Sequence, residues 1–145
     1  MPLTGTFNRN MDEKSRFAVP KRLRDQLGEE ELRSLYVAPG TECSLDLYSK
    51  EAFEKFADRV ATMSPTRADI RNYKRLFYGQ SERVELDSQG RIRIPDRLVS
   101  YAKLQKEVVL IGVHDHVEVW DATTWQQFLE KHSTDFDSMA AGVFD

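Results

Sequence analysis

The chain repeats itself, and that repeat constrains its folding more than any other feature. The segment from Asp12 to Leu23 aligns with Asp87 to Leu98 at an offset of 75 residues, with five of the twelve positions identical. Phe17/Ile92 and Val19/Ile94 are apolar in both copies. Further on the offset becomes 72, with Gly40 over Gly112, Leu45 and Leu47 over Val117 and Val119, Tyr48 over Trp120, and Phe53 over Trp125. A three-residue difference in loop length accounts for the change. A unit of roughly 50 residues buries too little surface to stand alone, so two copies predict one shared β core. The expected fold is α+β, two pseudo-symmetric β units forming a single shared barrel with helices outside.

Both copies follow one local grammar. Alternating Phe7, Arg9 and Met11 predict a strand in the first copy, and Val84 to Leu86 one in the second. Each enters a turn running from an aspartate to an arginine, Asp12–Arg16 and Asp87–Arg91. A short second strand follows, then Pro20 or Pro95, which suits the first position of a helix. Leu23 and Leu27 share a helix face, and Gly28 is a natural stop. Two more strands, joined through Pro39-Gly40-Thr41 and around Gly112 to His116, lead to a closing helix. Ser49 and Asp121 are its expected caps, and Phe53, Phe56, Val60 and Trp125, Phe128, Leu129 its inward stripes. Between the copies, Ser64 as cap, Pro65 in the first turn and Gly79 as terminator predict a helix with Ile70, Tyr73, Leu76 and Phe77 on its apolar side. The organisation is therefore repeat 1 over residues 3–62, an inter-repeat helix over 63–80, repeat 2 over 81–132 and an acidic tail over 133–145.

Net charge is −3 over 145 residues, but the charge is polarised. Arg9, Lys14, Arg16, Lys21, Arg22 and Arg24 crowd the first 24 residues against only Asp12 and Glu13, while the tail holds Asp135, Asp137 and Asp145 with no base. A polyanion responds to such a local field more than to the total. Two readings of the Asp-to-Arg segments compete. As structure, Asp12 and Asp87 accept turn amides and pair with Arg16 and Arg91, with Gly90 supplying a positive φ. As function, a strand–turn–strand tip bearing Lys14 and Arg16 fits a major groove, where arginine reads guanine while Lys21, Arg22, Arg24 and Arg9 hold phosphates and Arg91 contributes from the second copy. The first window is the more basic, so copy one is expected to carry more of the contact.

Other chemistries find less support. The longest uncharged apolar run, Val108 to Val113, is far short of the roughly 20 residues of a membrane span. The N-terminus has no basic flank leading into an apolar stretch, and a single cysteine, Cys43, excludes an internal disulfide, so a cytoplasmic protein is expected. His114 and His116 alternate on a possible strand, but no third ligand group is evident and the segment looks like a hairpin bend, so no metal is expected. Cys43 has no recognisable base beside it. Glu29-Glu30-Glu31 reads as a solvated loop, and no glycine-rich phosphate loop occurs. Neither enzymatic activity nor a cofactor is expected.

These motifs, in this order, carry a family resemblance. The chain resembles the MraZ family, bacterial transcriptional regulators built from two SpoVT/AbrB-type swapped-hairpin domains, over residues 3 to about 131. The likeness rests on both D-x-x-x-R motifs, the stretch Arg75-Leu76-Phe77-Tyr78-Gly79, the block Leu104 to Gly112, and Val119-Trp120-Asp121-Ala122-Thr123-Thr124-Trp125. It implies AbrB-like binding of double-stranded DNA, a homo-oligomeric ring, association with the nucleoid, and recognition of short direct repeats in the promoter of the division and cell-wall gene cluster. It also assigns DNA contact to Lys14 and Arg16. Ser15 stands where the family usually has glycine, Thr4 where an arginine is common, and Pro2 where an aromatic is usual. A different class remains open beside it: a ring-forming scaffold or antitoxin-like partner-binding protein, with the helix at 65–77 as its docking element. Salt-dependent retention of DNA separates the two.

Overall fold

A computed structural model describes residues 2–28 and 34–145; the Glu29-Glu30-Glu31 segment lies outside the described residues. The first copy contributes β1 (Thr6–Asn10), β2 (Arg16–Ala18), α1 (Lys21–Leu27), β3 (Ser34–Pro39), β4 (Leu45–Tyr48) and α2 (Lys50–Ala61). After α3 (Ala68–Gln80), the second copy repeats the order with β5 (Glu82–Glu85), β6 (Arg91–Arg93), α4 (Asp96–Tyr101), β7 (Glu107–Val113), β8 (His116–Asp121) and α5 (Ala122–His132). A 3₁₀ turn, Ser133–Asp135, leads into α6 (Phe136–Phe144), so the acidic tail is helical.

Six strands form one antiparallel sheet in the order β1-β7-β8-β4-β3-β5. Because β1 and β5, β7 and β3, and β8 and β4 are repeat equivalents, the order is symmetric about the β8–β4 pair. β1 of the first copy bonds β7 of the second, and β5 of the second bonds β3 of the first. Neither copy completes its sheet alone, which is how two undersized units come to share a core. The expected single barrel is corrected in one respect. Among the described residues β1 and β5 remain edges, and β2 pairs only with β6 in a separate two-stranded ribbon. At three residues each, β2 and β6 find each other across the pseudo-dyad instead of bridging the sheet edges.

Strand alternation gives the sheet two buried faces. Leu35, Val37, Leu45, Leu47, Val108, Leu110, Val117 and Val119 meet Phe17, Val19, Ile92 and Ile94 of the ribbon and Leu23, Leu27 and Leu98 of α1 and α4. On the other face, Ala38, Tyr48, Val60 and Phe77 pack with Tyr36, Phe53 and Phe56. Trp120 meets Trp125 and Phe128 of α5 there.

The caps fall as expected. Ser49 accepts from the Ala52 amide at 3.1 Å, Asp121 accepts from Thr123, and Gly28 ends α1 in the left-handed region at φ 87. Three local expectations are corrected. Pro20 and Pro95 are caps one residue before their helices, not first helical residues. The inter-repeat helix begins at Ala68, because the Ser64 hydroxyl is engaged with Thr66 in a turn, and it runs through Gly79 to Gln80. Of its presumed inward side only Phe77 is buried; Leu76 is 61% exposed.

Candidate nucleic-acid interface

Each Asp-to-Arg segment is a turn organised by its carboxylate. Asp12 Oδ1 accepts from the amides of Lys14 and Arg16, both at 2.9 Å, and its Oδ2 pairs with Arg16 Nε at 2.9 Å. Asp87 repeats the pattern with the Gln89 and Arg91 amides and with Arg91 Nε at 2.8 Å. The Arg16 amide, opposed by partial desolvation and joined by the Arg16 guanidinium and the Lys14 amide, holds the Asp12 carboxyl below the usual carboxylate range. Asp87 is lowered in the same way by Arg91. One carboxylate thus shapes the loop and fixes the arginine that leaves it.

The turns dock on each other. Val19 N donates to Gly90 O at 3.0 Å, and Ile94 N donates to Ser15 O at 2.9 Å. Arg91 Nη1 also reaches Asp12 Oδ2 at 3.8 Å, across the copies. Ser15 and Gly90 occupy the same left-handed conformation, φ 61 and φ 74. A Cβ at Gly90 would lie 2.7 Å from Arg24 Cζ, so a larger residue there would displace the Arg24 guanidinium. Ser15 bears the strain of a non-glycine residue in that region. Ser15→Gly is therefore expected to stabilise the chain by roughly 0.5–1 kcal/mol, a net of relieved strain and added chain entropy. Thermal unfolding measures it; a lowered midpoint would contradict the strain.

The ribbon brings together some of the candidate cations and leaves others apart. Phe17 and Ile92 point inward as partners, so Arg16, Arg91 and Arg93 share the outward face, with Arg16 directly opposite Arg93. Lys14 is exposed at the neighbouring turn. Among the described residues neither Lys14 nor Arg93 forms an ion pair. The other candidates flank this face. Arg22 donates to Thr4 Oγ1 at 2.9 Å and covers the Phe7 ring, and Lys21 pairs with Asp25 at 3.1 Å in the open. Arg9, on the edge strand β1, holds the Asn8 carbonyl. Arg24 is half-buried, donates to the Val19 carbonyl at 3.0 Å and lies over Gly90, a packing position.

Sequence reasoning missed Arg93. Its signal was the alternation Arg91-Ile92-Arg93-Ile94, which sends both arginines outward once the isoleucines are buried. The histidine segment is the hairpin bend its sequence suggests, but His116 has acidic partners that the sequence did not reveal. His114 sits in the β7–β8 turn at φ 66, so it does not align with His116. Asp46 and Glu118 close on His116 instead. Burial alone would lower His116, but the hydrogen bonds its ring donates to Glu118 and Asp115 and the charge of Asp46 raise it to about 9. Burial pushes Asp46 up to about 6 against the pull of His116.

Two copies of a strand–turn–strand–helix unit, exchanging first strands and pairing their carboxylate-organised turns, define a tandem-repeat protein with a basic ribbon on its pseudo-dyad. A family model described as "MraZ protein, putative antitoxin-like" matches residues 3–76 and again residues 77–145. Three relatives, each named "Transcriptional regulator MraZ", align along most of their length. The one from Finegoldia magna is 36% identical, covering 94% of this chain and 92% of the relative. That from Mycoplasmoides gallisepticum is 36% identical over 97% and 96%, and that from Alkaliphilus metalliredigens 35% over 94% and 92%. The chain belongs to the MraZ family.

Proposed function

We propose that this protein is a sequence-specific regulator of transcription that reads double-stranded DNA with the β2–β6 ribbon and its two turns. The observation that carries the reading is the outward face on which Arg16 opposes Arg93 beside the exposed Lys14. A two-stranded ribbon fits the major groove, where arginine bonds the O6 and N7 of guanine bidentately. Lys14 and the flanking Lys21, Arg22 and Arg9 serve phosphates, and Arg91 supports the tip from the second copy. The strand exchange between copies supports units of the swapped-hairpin AbrB type.

One tip makes few contacts, which favours a target with several closely spaced sites; the family resemblance suggests what they are, short direct repeats in the promoter of the division and cell-wall gene cluster. A homo-oligomeric ring, working at the nucleoid, presents several tips to successive repeats and raises apparent affinity by linkage. The experiment is a titration of DNA from the protein's own upstream region carrying one repeat or three, at two salt concentrations. Affinity is expected to rise more than tenfold from one repeat to three and to fall steeply with salt. Equal affinity for both DNAs would contradict the multivalent reading.

A second reading has its own observation. The C-terminal helix leaves Phe136, Val143 and Phe144 71%, 76% and 87% exposed, apolar side chains suited to a protein partner. A scaffold or antitoxin-like protein would hold a defined partner with no salt-sensitive competition by DNA.

A further inference from the structure

The sheet face away from the ribbon carries a charged cluster that DNA reading does not use. Asp46 on β4 and Glu118 on β8 are direct register partners, and the offset of 72 makes them repeat equivalents as well. The pseudo-dyad thus sets two carboxylates against each other, an arrangement that is unfavourable unless a cation, the protonated His116 ring or a metal ion that displaces its Nε2 proton, sits between them. The same equivalence gives each carboxylate a holder. Tyr48 donates its hydroxyl to Asp46 Oδ2 at 3.3 Å, and Trp120 Nε1 donates to Glu118 Oε1 at 2.9 Å. In each, the other oxygen faces His116.

His116 breaks the symmetry, since the equivalent position in the first copy is Ser44. Its Nε2 lies 3.7 Å from Asp46 Oδ1 and 3.6 Å from Glu118 Oε2, and its Nδ1 is 2.7 Å from Asp115 Oδ1. One ligand atom from each of the three residues lies within 4.8 Å of the others. We propose that Asp46, His116 and Glu118 bind a divalent transition-metal ion of the Zn²⁺ type, with Asp115 orienting the imidazole.

The geometry is close to what such an ion needs. Bonds of about 2.0–2.2 Å in a tetrahedral site separate ligand atoms by about 3.3–3.6 Å, so the two gaps around Nε2 must close by at most a few tenths of an ångström, and the two carboxylate oxygens, within 4.8 Å of each other, must close on the ion by side-chain rotation. The carboxylate on Nδ1 is the usual outer partner of a metal-bound histidine; it fixes the ring and leaves Nε2 for the ion. Tyr48 and Trp120 do the same for the carboxylates. An imidazole among the ligands favours a borderline ion over Mg²⁺ or Ca²⁺, which take oxygen. Side-chain exposures of 17%, 18% and 27% for Asp46, His116 and Glu118 leave a path for entry and a position for water.

The test is calorimetric titration of the chelator-treated full chain with Zn²⁺ in excess Mg²⁺. One Zn²⁺ per chain is expected. His116→Gln and Asp46→Asn are expected to weaken it at least tenfold, Asp115→Asn by roughly 10- to 100-fold, and His114→Gln not at all. Because the cluster lies between strands, the unaltered chain supplies an independent readout. Co²⁺ should acquire the intense visible bands of a low-coordinate site and quench Trp120 fluorescence. Saturable binding weaker than roughly 100 µM, Zn²⁺ affinity undiminished in His116→Gln, or a Co²⁺ spectrum like that of the hydrated ion would each overturn the proposal.

Discussion

Arg16→Ala is expected to weaken binding to repeat-bearing DNA by about 1–3 kcal/mol per engaged subunit, roughly 5- to 150-fold, without unfolding the chain. Both halves follow from the turn. The Asp12 carboxylate is held by two amides at 2.9 Å and has Arg91 at 3.8 Å, so it does not become an unpaired charge when Arg16 is truncated. The Arg16–Asp12 pair is about one-third exposed, and pairs of that kind contribute under about 1 kcal/mol. What is lost is the guanidinium poised by Asp12 Oδ2. Arg91→Ala is expected to cost less affinity, since residues 83–97 of the second copy carry a net charge of +1 against +3 for residues 8–22 of the first. Binding isotherms on the same DNA compare them; unchanged affinity in Arg16→Ala, or a larger loss in Arg91→Ala, would contradict the assignment.

Phe17→Ala is expected to be the most damaging change to the fold, at roughly 3–5 kcal/mol. A ribbon of two three-residue strands has little stability of its own. It stays in place because Phe17, 1% exposed and opposite Ile92, inserts with Val19 and Ile94 between the sheet and helices α1 and α4. Truncation leaves a cavity at the joint of both copies. Domain stabilities of about 5–15 kcal/mol make this a large fraction, seen as a fall of roughly 10–20 °C in the unfolding midpoint. DNA affinity should fall with it, because the tip is mounted on Phe17. A loss below about 1 kcal/mol would show that the ribbon is anchored elsewhere.

What could be read from the residues was what depends on local spacing. The closing caps Ser49 and Asp121, the stop at Gly28 and the carboxylate-organised turns all involve partners within a few positions, and the repeat shows itself by comparing the chain with itself. The shared core followed from the size of the unit. What could not be read depends on register between distant strands. Arg93 comes to lie opposite Arg16 only because β2 lies on β6, and Asp46 meets Glu118 only because β4 lies on β8. Barrel closure was over-read for the same reason, as apolar alternation predicts a buried face but not which strand lies at an edge. The inter-repeat helix failed differently. Its spacing made Leu76 an inward residue, yet the adjoining face is already filled by Phe53, Phe56 and Phe77.

The measurement that bears most directly on groove reading is methylation interference on the upstream repeats, made in parallel with the unaltered chain and Arg16→Ala. Methylation at guanine N7 blocks the major-groove edge that arginine would read, whereas methylation at adenine N3 marks the minor groove. The account predicts that N7 methylation within each repeat abolishes retention of the unaltered chain and no longer discriminates for Arg16→Ala. Interference confined to adenine N3, or a guanine pattern identical in the two proteins, would contradict it.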